Sequence, residues 1–208
     1  MMNIPTPDIA EQLLAEAAMR NPGPWVAHSR HVALAARLIA ARHPRLDVDT
    51  AYILGLLHDI GRREGRSHMR HLVDGYRFLS GLGYADAARI SLTHSFPIPN
   101  IGVYAGERDC SPSDLAFLEH FIATVQFNEY DRLIQLCDAI ALPSGFCLME
   151  KRIVDVALRL GINELTLAGW EARFKIKAEI EAAIGQSIYQ VLPGVMEGTF
   201  GEYVPGAV

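Results

Sequence analysis

Apolar residues recur along most of the chain at intervals of three and four, and the strict alternation of a half-buried strand is scarce. That pattern predicts an all-α protein, because a 3.6-residue period brings such positions onto one helix face. The spacing predicts helices over 8–20, 25–43, 49–60, 68–81, 84–94, 113–124, 127–141, 147–160 and 165–188. Breaks between them carry turn and stop signals. Asn21-Pro22-Gly23-Pro24 ends the first helix, Pro44 closes the second, Gly61 stands where the third would stop, and Gly81-Leu82-Gly83 separates the next two. Residues 95–112 hold Pro97, Pro99, Gly102, Gly106 and Pro112, and read as a long loop of the kind that lines functional sites. The last 15 or so residues read as irregular. No repeat, low-complexity tract or shift in composition divides the chain, so one domain over 1–208 is expected.

Composition narrows the function classes. Half the residues (50%) are hydrophobic, enough for a sizeable core and against disorder. A net charge of −5 gives no reason to expect a nucleic-acid polymer or an anionic membrane as partner, although a local basic patch still suits a small anionic substrate. Cys110, Cys137 and Cys147 are odd in number and lack C-x-x-C spacing, which argues against a disulfide framework and suits a reducing compartment. The first 20 residues have no basic region leading into an apolar run, and no stretch approaches about 18 uninterrupted apolar residues. A cytoplasmic protein without a membrane span is expected.

Three polar intrusions into apolar helical faces carry the candidate chemistry. Stepping residues by about 100° places His28 with Val32, Ala35 and Ile39, while Arg30 and Arg37 fall opposite. An inward histidine is either a core residue satisfied by one hydrogen bond or a ligand. His58-Asp59 follows Ala51-Tyr52-Ile53-Leu54-Gly55-Leu56-Leu57, and a carboxylate at the end of a buried helix is costly unless it caps, pairs or binds a metal. Asp138 lies within Leu133-Ile134-Gln135-Leu136-Cys137-Asp138-Ala139-Ile140-Ala141-Leu142. A buried salt bridge to an arginine and a metal-ligand role explain it equally.

These residues, in this order, resemble the H…HD…D pattern of the HD-domain superfamily. His28-Ser29-Arg30-His31-Val32 resembles its first-helix signature, and Leu56-Leu57-His58-Asp59-Ile60-Gly61 its LLHDIG core. His71-Leu72-Val73-Asp74-Gly75 and Ile90-Ser91-Leu92-Thr93-His94 resemble the segments that supply the histidines of a second site. The resemblance covers about 25–142 and leaves about 143–208 as a C-terminal helical extension. It implies an all-α bundle with a metal centre between helices. His28, His58, Asp59 and Asp138 would bind one ion, and His71 and His94 a second, with Asp59 bridging. The implied cofactor is a divalent transition metal, two ions of Fe, Mn, Ni, Co or Zn. The implied activity is hydrolysis of a phosphomonoester or phosphodiester, of a nucleotide or related small phosphate, by a metal-activated water. The alternative within the superfamily is a mixed-valent di-iron oxygenase, which uses the same ligands. A non-catalytic, metal-stabilised binding module is the third reading, and the intact ligand set argues against it. The HHE and GYP signatures of cyclic-di-GMP phosphodiesterases are missing, since Gly75-Tyr76 lacks a following proline.

Where many relatives carry a phosphate-binding lysine after HDIG, this chain has Arg62, assigned here with Asp59 as a catalytic residue. Arg63, Arg66 and Arg70 follow, so a basic phosphate rim is expected, against the alternative of a solvated loop. Asn100, Tyr104, Glu107 and Arg108 in the 95–112 loop are candidate substrate contacts. His31 and His68 are placed near the site, His43 as a charge complement at a helix end, and His120 as structural. Trp170, Phe174, Ile180 and Ile184 at helical spacing fit the core or a homodimer surface.

Overall fold

The helical period is realised nearly throughout. In the computed structural model, which describes residues 2–201, the described residues form eleven α-helices, two short 3-10 turns and one two-stranded antiparallel ribbon. Helix α1 (Pro7–Arg20) starts at Thr6, whose hydroxyl accepts from the Ile9 amide. Helix α2 (Pro24–Ala40) follows the Pro-Gly-Pro break. Asp47 caps α3 (Val48–Leu57), which ends three residues before the expected position. The chain then tightens into a 3-10 turn, Ile60–Glu64, and enters α4 (Arg70–Gly81) and α5 (Ala85–Thr93). After a second 3-10 turn, Ile101–Val103, come α6 (Pro112–Thr124) and α7 (Glu129–Asp138). Asn128 and Asp131 form a capping box at the start of α7.

Several boundaries differ from the sequence expectation. Helix α2 stops at Ala40 and turns before Pro44, so His43 lies outside it, where its Nδ1 accepts from the Arg45 amide (3.3 Å). Helix α7 ends at Asp138, and the apolar residues beyond it form a ribbon, β1 (Ala141–Leu142) with β2 (Gly145–Phe146). Helical periodicity could not see this turn, because both strands are only two residues long. Helices α8 (Met149–Leu160) and α9 (Thr166–Ile184) follow, the latter closed by Gly185 in the left-handed region (φ 72°). Two short helices, α10 (Ile188–Val191) and α11 (Val195–Phe200), occupy the tail. Helix α11 lies where irregular chain was expected, and 202–208 lie outside the described residues.

The larger buried cluster joins Ala10, Val32, Leu54, Leu136, Ile180 and Ile188, from α1, α2, α3, α7, α9 and α10. A smaller one, built on Leu72, Leu92, Phe96, Ile101 and Leu118, lies between α4, α5, the 95–112 loop and α6. Ile180 is buried in the larger cluster, and Trp170, Phe174 and Ile184 pack partly buried against it. No helix among the described residues is long and apolar enough to cross a membrane.

Glycines set how closely the site-bearing helices approach. A Cβ at Gly55 of α3 would lie 2.8 Å from the Ala33 Cα of α2, and one at Gly75 of α4 would lie 2.9 Å from the Ser91 Oγ of α5. Gly61 is not the left-handed helix stop that its place suggested, since its φ is not positive. Its function is contact: a Cβ there would sit 1.9 Å from the His71 carbonyl oxygen and 2.4 Å from the Gly75 amide nitrogen. Gly61→Ala should therefore push α4 away from the 3-10 turn and lower stability by about 1–3 kcal/mol, the usual cost of overpacking. Urea unfolding of the variant against the parent measures this. A change within error would mean that the turn and α4 separate freely.

Candidate metal centre

The six predicted ligands converge, and most of them do so at helix ends. His58 is the residue that ends α3, His94 ends α5, Asp138 is the last residue of α7, and His71 is the second of α4. Asp59 begins the first 3-10 turn, and His28 sits near the start of α2. His28 Nε2 lies 2.9 Å from Asp138 Oδ1, and His58 Nε2 lies 3.8 Å from the same oxygen. The Asp59 carboxylate faces three rings, at 3.9 Å from His58 Nε2, 3.0 Å from His71 Nε2 and 3.7 Å from His94 Nε2. Two ligand sets have their donor atoms within 4.8 Å of one another, His28/His58/Asp138 and His58/Asp59/His94. His71 joins through its contact with Asp59.

Backbone carbonyls fix the rings. His58 Nδ1–H donates to Gly55 O (2.7 Å), His94 Nδ1–H to Ile90 O (3.1 Å), and His71 Nδ1–H to His68 O. These bonds leave the Nε2 atoms of all three rings turned toward Asp59, and burial keeps His58 and His94 neutral, with lone pairs there. Lone pairs directed at carboxylate oxygens repel unless a cation lies among them. Accordingly, His58 Nε2 and Asp59 Oδ1 are buried without a hydrogen-bond partner. The donor set of imidazole nitrogens and carboxylates fits a divalent transition ion. The contrast with Asp131 is informative. That carboxylate is also buried, but Arg89 holds it at 2.6 Å and Thr93 donates to it at 2.7 Å. Asp138 has histidines rather than an arginine beside it.

Electrostatics keeps the donors in ligand form. Burial pushes His94 down to about 3, and burial also lowers His58. Burial works against the Asp59 charge, but the Arg62 guanidinium beside it leads the contributions that outweigh burial and hold the carboxyl well below the usual range. Asp138 is likewise held low against its burial, chiefly by His28. The side chain of Asp138 keeps 28% exposure, and it opens onto a cavity of about 560 Å³ that His28, Asp59, His71 and His94 also line.

Among the residues expected around the site, Arg62 and Tyr104 line this cavity. Arg62 Nε–H donates to Asp59 Oδ2 (2.6 Å) and Nη1 to the Ser67 carbonyl (3.3 Å), so much of its fork is engaged. The Arg62 carbonyl accepts from Asn21 Nδ2 (2.6 Å), which ties the turn to the end of α1. The rest of the expected basic rim is elsewhere. Arg63 stacks on Phe78 with its guanidinium carbon 3.8 Å from the ring centroid, Arg66 is exposed, and Arg70 pairs with Asp74 at 3.3 Å. His31 turns away from the metal cluster and meets Phe146 edge-on (5.5 Å) in a second, separate hollow. His68 contributes its carbonyl to His71, and His120 is exposed. In the 95–112 loop, Asn100 accepts from the Gly102 amide, and Glu107 and Arg108 are exposed. Asp109, not singled out from the sequence, accepts the amides of His68 and Arg70 (both 2.8 Å) and so anchors the start of α4.

The far wall of the cavity comes from the C-terminal helices: Arg152, Asp155 and Arg159 of α8, and Trp170 and Arg173 of α9. Sequence reading missed the three arginines. Yet Arg173 lies in the stripe Gly169, Ile176, Ile180, whose other members are buried. It is the same kind of polar intrusion that exposed His28.

The depressed histidines set a pH dependence for the metal-free protein. Below the ordinary value of 6.5 the unfolded chain takes up protons that buried His58 and His94 refuse, so stability falls as pH drops. The loss runs from 6.5 toward about 3 for His94, and protonation of Asp59 and Asp138 adds to it below 3.8. Each such histidine contributes a slope of about 1.4 kcal/mol per pH unit. Urea unfolding of chelator-treated protein between about pH 7.5 and 5 should show the decline, and His94→Asn should remove about one proton's worth of slope. A flat profile for the parent chain would contradict the burial of neutral rings.

A family model describing the HD domain matches residues 25–142. Neither the curated proteins nor the solved structures contain a significant match to this chain. The matched segment runs from the tryptophan that precedes His28 to the strand that follows Asp138, spans more than half of the 208 residues, and encloses all six clustered side chains. The chain therefore belongs to the HD domain family, whose members bind divalent metals within a superfamily of metal-dependent hydrolases.

Proposed function

We propose that this chain is a metal-dependent phosphohydrolase that cleaves a phosphomonoester or phosphodiester of a nucleotide or related small molecule. The observation that carries this reading is one cavity in which an electron-rich His/Asp cluster meets four arginines, Arg62, Arg152, Arg159 and Arg173. Guanidinium forks match non-bridging phosphate oxygens, and a volume of about 560 Å³ suits a ligand of nucleotide size. Trp25 of α2 and Trp170 of α9, which also line the cavity, would give flat apolar faces to the organic part of such a substrate.

His28, His58, Asp59 and Asp138 would hold a first ion. His71 and His94, sharing the Asp59 carboxylate, would hold a second, drawn from Fe, Mn, Ni, Co or Zn. Metal bound there supplies Lewis-acid stabilisation of phosphoryl charge and an acidified water. The remaining work falls to the chain. The Nδ1–H bonds to Gly55, His68 and Ile90 hold three imidazoles in the donor tautomer. Arg62 orients Asp59 through its Oδ2, with Nη2 3.5 Å from His71 Nε2, and brings positive charge to the cavity. Burial raises the Tyr104 hydroxyl above its ordinary pKa despite Arg62 beside it, so it remains a neutral donor for a phosphoryl or leaving oxygen. Apolar Val103 and Leu142 on the same walls limit water around the reacting group.

Phosphate release from a panel of phosphomonoesters and alcohol release from a panel of phosphodiesters, run with Mn, Fe, Co, Ni and Mg, test the reading. Turnover should require metal and vanish with chelator, and Asp59→Ala should lose both bound metal and activity. Substrate-dependent O₂ consumption without phosphate release would replace the hydrolase by an oxygenase. Because Arg62 holds Asp59 as well as facing the cavity, Arg62→Ala should lower metal content together with kcat/KM. Loss of one charge-assisted bond costs about 1.5–3 kcal/mol, or roughly 10- to 150-fold. Arg62→Lys should recover part of both. Metal analysis beside steady-state kinetics checks this, and a variant equal to the parent in both would remove Arg62 from the mechanism.

A further inference from the structure

The four cavity arginines differ in what already neutralises them. Arg62 is bonded to Asp59 (2.6 Å). Arg152 and Arg159 share Asp155, at 3.3 and 3.1 Å. Arg173 pairs with no carboxylate among the described residues. Its guanidinium reaches only two backbone carbonyls, Gly169 O at 3.3 Å and Ser95 O at 3.5 Å, both long for charged hydrogen bonds. Burial lowers its pKa, with the charge of Asp138 acting the other way. A cation in such a place is costly unless an anion completes it.

Its position is built rather than incidental. A Cβ at Gly169 would lie 2.4 Å from Val103 Cγ2, so the missing side chain brings α9 down onto the 3-10 turn Ile101–Val103. Asn163, ahead of α9, donates to Gly102 O in that turn (3.0 Å). This seating delivers Arg173 to the carbonyl of Ser95, the residue that follows His94, within electrostatic reach of Asp138. Trp170 lies one turn earlier on the same face and lines the same cavity.

We propose that Arg173, on a helix outside the matched HD segment, is the anion-binding residue of the site and receives phosphoryl oxygens of the substrate, with Trp170 beside it. The assignment rests on the phosphohydrolase reading for its substrate class. It gives substrate recognition to α9 and leaves Arg62 chiefly as the positioning residue for Asp59.

Full-length, metal-loaded protein is titrated with inorganic phosphate while tryptophan fluorescence is followed, and KM and kcat are measured for a phosphomonoester that the parent hydrolyses. Arg173→Gln should weaken phosphate binding and raise KM by about 10- to 100-fold, with metal content and Tm held. Arg173→Lys should restore part of the affinity. A merely structural tie from α9 to Ser95 would lower Tm without this selective change in KM. Should Arg173→Gln fail to fold, the parent protein still decides the matter. Phosphate should protect Arg173 from phenylglyoxal, as read by peptide mass spectrometry, and protection of Arg62 or Arg152 in its place overturns the assignment. Unchanged KM and phosphate affinity in a folded Arg173→Gln, or no phosphate binding by the parent, also overturns it. Phosphate binding that depends on Arg173 in a chain that turns over no phosphate ester would uphold this assignment and sink the hydrolase reading.

Discussion

The structure is organised around a repulsion. Three imidazoles, two of them held neutral by burial, turn their Nε2 atoms toward one buried carboxylate, and a fourth histidine shares a second carboxylate with one of them. Without a cation, that concentration of electron density opposes folding. A cation among them would take the same atoms as ligands, and its binding free energy would add to folding free energy. Arg62 supplies some positive charge to Asp59 from one side, but His58 Nε2 and Asp59 Oδ1 still lack partners.

The surrounding helices bear the consequence. Ligands placed at helix ends can be brought together by several elements at once, each ending where its donor is required. Close approach then becomes compulsory, and glycines supply it at Gly55, Gly61 and Gly75. Around this centre the polar ties are equally directed. Gln135 Nε2 donates to the carbonyls of Thr93 and Phe96 (3.0 and 2.9 Å), which fixes the exit of α5 beside His94. Arg132 donates to Pro97 O (2.7 Å) and extends the same support into the loop.

The fold class and the ligand cluster were legible in the sequence because both produce local contradictions or periods. His28, His58-Asp59 and Asp138 stand where a helix needs an apolar residue, and the order of the motifs did the rest. The far wall of the cavity was less legible. Arg63, Arg66 and Arg70 are near Arg62 in sequence but fall on three different pieces of backbone, the 3-10 turn, the link after Gly65 and the first residue of α4, and none of them turns to the cavity. Arg152, Arg159 and Arg173 are far from the motifs and reach the cavity only through tertiary packing. Gly61 was read as a helix stop because glycine there has two uses, left-handed backbone and close contact, and sequence alone does not separate them. The ribbon at 141–146 was invisible for lack of length.

Asp109 gives the loop a part in the energetics of the metal centre. Its carboxylate takes the amides of His68 and Arg70, the donors that open the helix carrying His71. The loop and that helix start are thus tied to each other through one side chain. Tyr104 stands on the same loop and faces the cavity. A ligand that engaged Tyr104 would therefore steady His71 at a distance, and a metal held by His71 would steady the loop in return. By reciprocity, two such occupants would raise each other's affinity by the same factor, so the Asp109 contact would couple cofactor to ligand.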